Sequence, residues 1–422
     1  MHLPTTNSGT KGHLNISNVG PRFGATKLAA VIIRCALILA LLSALLLIAT
    51  LPAQAQTETV LCNFTGGSDG GELKSSLIFD GAGNLYGTTY EGGLFGYGTV
   101  FELSPNGNGG WNERVLYSFT GGADGGYPYS NLIFDSEGDL YGTTIFAGAN
   151  GYGVVFELSP VGASWTETVL HTFANSPDGA NPWSGLIFDP AGNLYGTTWD
   201  GGSSGSGTVF ELSPSGGSWA EQVIYEQGGN AGLTMNAAGD ILGASVYTVF
   251  ELSPNGNGGW NPTVLHTFCS GKDGCGALGT PVFDQAGNLY GTTEYGGGKN
   301  DGTVYKLSPR TKGKKKGEWR EKILRSFNGK NGAGPMAGIV FDAAGNIYGT
   351  TVAGGWRDYG LVYELVAPVG KGSYKERLFW RFNFTDGLGP LGSLIWDSAG
   401  NLYGTTNYGG EAELGVVFEL TP

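Results

Sequence analysis

The chain has 422 residues, with 23 Lys and Arg against 36 Asp and Glu, a net charge of −13. Hydrophobic residues make up 40% and aromatic residues 12% of it, which is ample for a core and excludes disorder. Glycine is the outlier at 77 residues, far above its usual share of about 7%.

The first 55 residues hold no Asp or Glu and four basic residues: Lys11, Arg22, Lys27 and Arg34. From Cys35 to Ile48 the chain is apolar apart from Ser43, and Ala53-Gln-Ala55 supplies a small-x-small cleavage site. This pattern predicts a signal peptide over 1–55, with an unusually long N-terminal extension, ahead of one domain over 56–422. The apolar run is short for a membrane span, and none is expected after cleavage. Localisation is expected to be secreted, or periplasmic and cell-envelope. Removing the leader leaves 19 basic and 36 acidic residues, a net charge of −17. Such a surface repels phosphate backbones, so nucleic acid is excluded as a partner.

Self-similarity organises the rest of the chain. Leu77-Ile-Phe-Asp80 followed by Gly83-Asn-Leu-Tyr-Gly-Thr-Thr89 recurs with its Asp at Asp80, Asp135, Asp189, Asp284, Asp342 and Asp397, and a weaker copy places Asn236 there. Seven copies at about blade-length spacing predict a propeller. Each copy reads as four strands. Strand a is Leu-Ile-Phe-Asp; an Asx-type turn leads to strand b, Leu-Tyr-Gly-Thr-Thr. Strand c is Gly98 to Pro105, and strand d runs from Trp111 to Phe119. The last copy ends after strand c, at Pro422, while Thr57 to Phe64 matches strand d and precedes the first strand a. The fold expected is therefore an all-β, seven-bladed propeller closed by its N-terminal strand, since a closed ring hides sheet edges. The fourth copy is degenerate, with its b–c loop cut to Ser245-Val-Tyr-Thr248.

The phrase Phe-Asp-x-Ala-Gly-Asn-Leu-Tyr-Gly-Thr-Thr, then Gly-Gly-x-x-Gly-x-Gly-Thr-Val-Phe-Glu-Leu-Ser-Pro, resembles the GloVer tandem repeat of "choice-of-anchor" bacterial exported proteins. The resemblance covers residues 57 to 422. It implies export and a propeller-like array, with no activity to carry over. Members are named for variable C-terminal anchors; the chain departs from that in stopping at Pro422 without an apolar tail, which leaves surface attachment open. The Asp-x-x-Gly-Asn-Leu-Tyr turn is also similar to that of NHL and gluconolactonase-like propellers, in fold rather than chemistry.

In a propeller the d–a and b–c loops share one face, and here that face varies most. The residue entering strand a reads Lys74, Tyr129, Trp183, Asn230, Leu278, Met336 and Leu391. The b–c loops add Tyr97, Tyr152, Trp199 and Trp356 among other aromatics. Flat apolar rings on Gly-rich loops around a concave mouth suit sugar rings or a protein surface. Lys74, Tyr129, Trp183, Asn230, Met336, Tyr97, Tyr152, Trp199 and Trp356 are accordingly the candidate ligand contacts.

Other repeated polar residues read as structural. The Asp-Gly pairs at Asp69, Asp124, Asp178, Asp273 and Asp386 are turn signals. Six or seven equivalent acids do not make an acid–base pair, which needs two different environments. His171 and His266 replace Tyr117 and Tyr225 on strand d and lack metal or triad partners, so no metal, cofactor or catalytic residue is assigned. Cys269 and Cys275 bracket a Gly-rich loop and are expected to pair; Cys62 is expected to be a buried free thiol. The basic run Arg310 to Lys316 reads as a solvated loop. The function expected is a monomeric, non-enzymatic exported propeller binding a glycan or an envelope or extracellular protein. The alternative is a polysaccharide hydrolase or lyase using carboxylates at the channel mouth.

Overall fold

The computed structural model describes residues 56–422 except 230 and 313–316, so the expected signal peptide, Asn230 and most of the basic run lie outside the described residues. Among the described residues thirty strands form seven antiparallel sheets, each ordered a-b-c-d, and in the second and third a further short strand, Gly126–Pro128 and Ala180–Pro182, pairs with strand b. In the first blade these are Ile78–Phe79, Leu85–Thr89, Thr99–Pro105 and Trp111–Ser118. The seventh sheet takes strands a to c from Ile395–Trp396, Leu402–Thr405 and Val416–Thr421, and its outer strand is Thr57–Asn63. That strand pairs antiparallel with the last one, from Thr57 opposite Thr421 to Asn63 opposite Val416. The two ends of the chain thus close the ring. Strand a is shorter than its four-residue sequence pattern. Its Asp is consumed by the following turn, and the residues before it bond to neighbouring blades.

No blade buries its own faces. The buried apolar residues fall into seven clusters, each shared by two successive blades. The repeated phrase is a list of the parts such a joint needs. Tyr86 of strand b meets Phe134, on strand a of the next blade, edge-on with centroids 5.1 Å apart. Tyr141–Phe188, Tyr290–Phe341, Tyr348–Trp396 and Tyr403–Phe79 repeat that contact at 5.0 to 5.2 Å. The same tyrosine donates its hydroxyl to the strand-a aspartate of its own blade, Tyr86 to Asp80 at 3.2 Å. Asp80 also accepts from the Ala82 and Asn84 amides and the Asn84 side chain. Burial alone would raise the Asp80 carboxyl, but these donors outweigh it and hold it below the usual range.

Each remaining letter of the phrase has its own task. Gly87 lies under Phe101 of strand c, whose ring would sit 2.7 Å from a Cβ there. Its neighbour Thr88 is matched by Thr143, Thr197, Thr292, Thr350 and Thr405, which donate to a main-chain carbonyl of the next blade's inner segment. All seven c–d ladders carry a one-residue bulge at the same place, as between Val100 and Phe101. The bulged residue (Leu116 in the first blade) joins the cluster shared with the next blade.

The fourth blade lacks most of these parts. Met235 stands for the aromatic, Asn236 for Asp, Leu242 for Tyr and Ala244 for Thr. Asn236 keeps the turn by exchanging roles with its partner, its amide now donating to Asp240 at 2.8 Å. The joint to the fifth blade has neither the edge-on ring contact nor the threonine bond. It carries the disulfide instead: Cys269 and Cys275, in the loop crossing that joint, are bonded, with Cα atoms 4.7 Å apart. Cys62 is a free, partly buried thiol, pushed up to about 12 by burial and by Glu113 and Asp69.

Two measurements check this account. Deleting Thr57 to Phe64 removes the outer strand of the seventh blade and the fully buried Phe64 ring; we expect a loss of at least about 3 kcal/mol, or aggregation. An unchanged melting temperature would disprove the closure. Tyr305 and Tyr363 replace the strand-c Phe, and their fully buried hydroxyls find no partner. Tyr305→Phe and Tyr363→Phe are therefore expected to stabilise the fold by about 1 kcal/mol each in thermal melts.

Candidate functional site

The three residues leading into each strand a surround the axis of the ring. The outermost of them, Lys74, Tyr129, Trp183, Leu278, Met336 and Leu391, line one solvent-open cavity. Below this rim the wall is built of small residues that bond across joints. Ser76 accepts from the Ser393 amide at 2.7 Å and donates its own amide to Asn131 at 2.7 Å. Glycines 185, 232 and 338 fill the alternate positions, where a Cβ would press on Asn131, Thr280 and Ser393. The cavity is therefore a cup with an apolar rim and a polar floor.

The rim is lopsided. On the side of blades one to three, seven rings form a continuous arc. Trp199 packs on Trp183 with centroids 4.8 Å apart, and Trp183 on Tyr129 at 4.3 Å. Tyr129 meets Tyr90 at 6.2 Å, Tyr90 meets Tyr127 at 5.1 Å, and Tyr127 touches both Tyr97 and Phe146. The Lys74 ammonium lies 3.3 Å from the Tyr90 centroid and 5.7 Å from that of Tyr129, and pairs with Glu72 at 3.0 Å. On the side of blades five to seven the same positions hold Leu278, Met336 and Leu391. Burial raises the Tyr129 hydroxyl to about 12, with Tyr90 and Glu294 adding to the effect, so it stays protonated as a donor.

At one backbone position strain falls on the same side. Two residues before the rim position six blades adopt a positive φ; the fourth, with Gly228 there, does not. The positive φ lets the amide there reach the b–c loop of the preceding blade, as Tyr127 reaches the Tyr97 carbonyl at 2.7 Å. Blades five to seven place Gly276, Gly334 and Gly389 there, with φ of 74°, 62° and 64°. Blades one to three place Glu72, Tyr127 and Asn181 there, with φ of 57°, 60° and 56°. Each non-glycine residue costs about 1 kcal/mol at such an angle, most for the bulky Tyr127 and least for Asn181. The side chains hold what that strain sustains: Glu72 fixes Lys74, Tyr127 sits mid-arc, and Asn181 donates to the Ile145 carbonyl at 3.0 Å.

Of the residues expected from sequence, Lys74, Tyr97, Tyr129, Trp183 and Trp199 meet in the arc, and Met336 faces it across the cup. Tyr152 is exposed on the second blade's b–c loop without a ring contact to the arc. Trp356 stands apart on the sixth blade, 81% exposed under the Arg357 guanidinium. Glu72, Tyr127 and Asn181 escaped sequence reasoning. Their signal was a non-glycine residue where later repeats keep glycine.

These features define a seven-bladed β-propeller with an asymmetric aromatic cup. The chain belongs to the Gloeobacter/Verrucomicrobia repeat family, which matches residues 47–247 and 220–422. No curated protein matches it in sequence. Among solved structures it is similar to a candidate 6-phosphogluconolactonase from Bacteroides uniformis. The identity is 15% over 78% of this chain and 89% of that one, with a TM-score of 0.50. A gluconolactonase from Xanthomonas campestris is similar at 14% identity, covering 84% of this chain and 87% of that one, with a TM-score of 0.40. An ancestral GH74 enzyme is similar at 12% identity, covering 82% of this chain and 48% of that one, with a TM-score of 0.48. At such identities the likeness speaks for the fold alone.

The stacked geometry has a spectroscopic consequence. Trp183 couples Tyr129 to Trp199, so Trp183→Ala is expected to abolish the aromatic exciton band in circular dichroism, whereas Trp356→Ala leaves it intact. An unchanged band in Trp183→Ala would mean that the rings are not stacked in solution.

Proposed function

We propose that the chain is a non-catalytic, exported glycan-binding propeller whose ligand sits in the cup against the arc of blades one to three. The observation that carries this reading is the convergence of seven aromatic rings and three non-glycine, positive-φ residues on one side of the mouth. Apolar sugar faces pack on aromatic rings, and the Ser76, Asn131 and Ser393 floor offers hydroxyl and amide partners to sugar hydroxyls. Trp199, 38% exposed next to the shortened loop of the fourth blade, is the open end of the stack. Among the described residues the only charged side chain lining the cup is Lys74, already paired with Glu72, which favours an uncharged ligand.

The alternative, a hydrolase or lyase, needs two carboxyl groups in different environments beside the scissile bond. Among the described residues no Asp or Glu lines the cup, and Glu72 is tied to Lys74. A panel of neutral and uronate polysaccharides, assayed for retention and for released ends, separates the two readings. We expect retention of a neutral polymer without product. Trp183→Ala should weaken it by about tenfold or more, since an aromatic stacking contact is worth about 1 kcal/mol beyond the area it buries. Product release that survives Trp183→Ala but fails in Glu72→Gln would overturn the binding reading.

A further inference from the structure

A second repeated polar arrangement lies at the blade joints, away from the cup. At each joint the d–a loop passes between the outer strands of two blades. At the joint of the first and second blades, Asp124 accepts from the Thr120 amide at 2.8 Å and from the Tyr117 hydroxyl at 3.1 Å. Glu167, on strand d of the following blade, faces that aspartate. The other joints repeat the trio. Cys62, Asp69 and Glu113 meet at one; His171, Asp178 and Glu221 at the next. His266, Asp273 and Glu321 form a fourth trio, with Tyr305 also facing Glu321. At the joint of the sixth and seventh blades Asp386, with Trp380 beside it, faces Glu58.

In all five, one oxygen of the glutamate is sealed from solvent without a hydrogen-bond partner. The aspartate, by contrast, accepts from its own turn, as Asp69 does from Thr65 and Asp386 from Asn383. The sealed glutamate oxygen has no such donor, so burial and the facing carboxyl favour its protonated form, and Asp386 is itself raised by burial despite its donors.

The two remaining joints are internal controls. Between the fifth and sixth blades the aspartate is Asn331, whose amide donates to both Glu376 oxygens at 3.0 Å, and Arg325 pairs with the same carboxylate. There a positive partner arrives together with the loss of the aspartate charge. Between the third and fourth blades the glutamate position is Pro262 and the loop has no aspartate.

We propose that these five Glu–Asp joints form an acid-set clamp: each joint closes around one proton, and the ring loosens when those protons leave. Burial, then the facing aspartate, pushes Glu58, Glu113, Glu167 and Glu321 up to about 7. Glu221 reaches about 7 through burial, with His171 opposing and Asp178 adding to it. An unfolded glutamate titrates near 4.3. The folded ring therefore binds more protons than the unfolded chain between about pH 4.5 and 7, and its stability falls as pH rises through that window. Two groups act against this on the acid side. His266, lowered by burial despite Asp273, disfavours the fold once it must be protonated. The strand-a aspartates, held below their usual range, withdraw stability as they are protonated.

Denaturant unfolding of the exported domain, 56–422, between pH 4.5 and 8.5 tests the clamp. We expect a stability maximum near pH 5 and an unfolding constant about tenfold or more higher at pH 8. Glu167→Gln removes the titration while keeping the shape, so it should raise stability at pH 8 and leave it nearly unchanged at pH 5. Glu376→Gln should do the reverse, costing stability at pH 8, because its partner is Arg325. Flat or rising stability from pH 5 to 8 would overturn the proposal. So would the same effect of Glu167→Gln at both pH values, or a gain at pH 8 from Glu376→Gln.

Discussion

A four-stranded blade has two apolar faces and no element of its own to cover either. Five of the seven blades therefore rely on an edge-on contact between the strand-b tyrosine and the strand-a aromatic of the blade that follows. That contact sets the rest of the repeat. The tyrosine hydroxyl, driven into a partly buried position by its ring, needs an acceptor, and Asp80 and its counterparts supply one while holding the turn. The glycine after the tyrosine lets a strand-c ring lie flat across strand b, and the next threonine reaches the neighbouring blade's carbonyl. One joint thus specifies most of an eleven-residue phrase. The fourth blade tests that logic from within. Where tyrosine, aspartate and threonine are lost together, the crossing loop is shortened by a covalent bond between Cys269 and Cys275. A disulfide closing so small a loop contributes about 2 kcal/mol, comparable to the ring contact and hydrogen bond that are missing there.

The fold was legible because its determinants are local and recur. Period, strand order and the displaced outer strand all follow from where Asp80 and its counterparts fall and from which strands the two ends supply. What could not be read is where a side chain points once rings meet across blades. Tyr129 and Trp183 stand 54 positions apart in the sequence, and nothing in either repeat reveals a 4.3 Å approach. Tyr152 stands in its repeat where Tyr97 stands in the first, yet only Tyr97 joins the arc, because the residue that bonds its carbonyl from the next blade is Tyr127, whereas Tyr152 meets Asn181. The strand-d glutamates were invisible for a different reason. On a strand that alternates exposed and half-buried residues, a Glu reads as solvated; its burial comes from the loop of another blade.

The repeat also decides where specificity can reside. Any residue the joints require is fixed in nearly every copy, so it cannot distinguish one side of the ring from another. Variation is left to the rim position, the residue two before it and the b–c loop. All three change together between blades one to three and blades five to seven. Glycine at the positive-φ position is the unstrained solution and is used wherever the rim is aliphatic. At this position glycine gives way to Glu72, Tyr127 and Asn181 only in the blades whose rim residues are Lys74, Tyr129 and Trp183, although non-glycine residues with positive φ also occur in other loops, as at Cys269, Asn300 and Phe384. A departure from glycine confined to one half of the rim, beside a lysine held between a carboxylate and a tyrosine face, fits the proposed cup rather than a demand of folding.

Cup and joints answer to different constraints, and the separation runs along the radius of the blade. Near the axis the wall is built of small residues, and Lys74 is the one charged side chain lining the cup among the described residues, so the recognition proposed there rests on shape, rings and neutral hydrogen bonds. Farther out, the d–a loops bring carboxyl groups of two blades together, and charge enters the stability of the ring itself. The sixth blade shows that the two solutions are interchangeable at a joint: an arginine and an asparagine do in one copy what a retained proton does in five. A ring built this way can change its dependence on acidity joint by joint without disturbing the cup. The aromatic arc can likewise change its ligand without touching what holds the blades together.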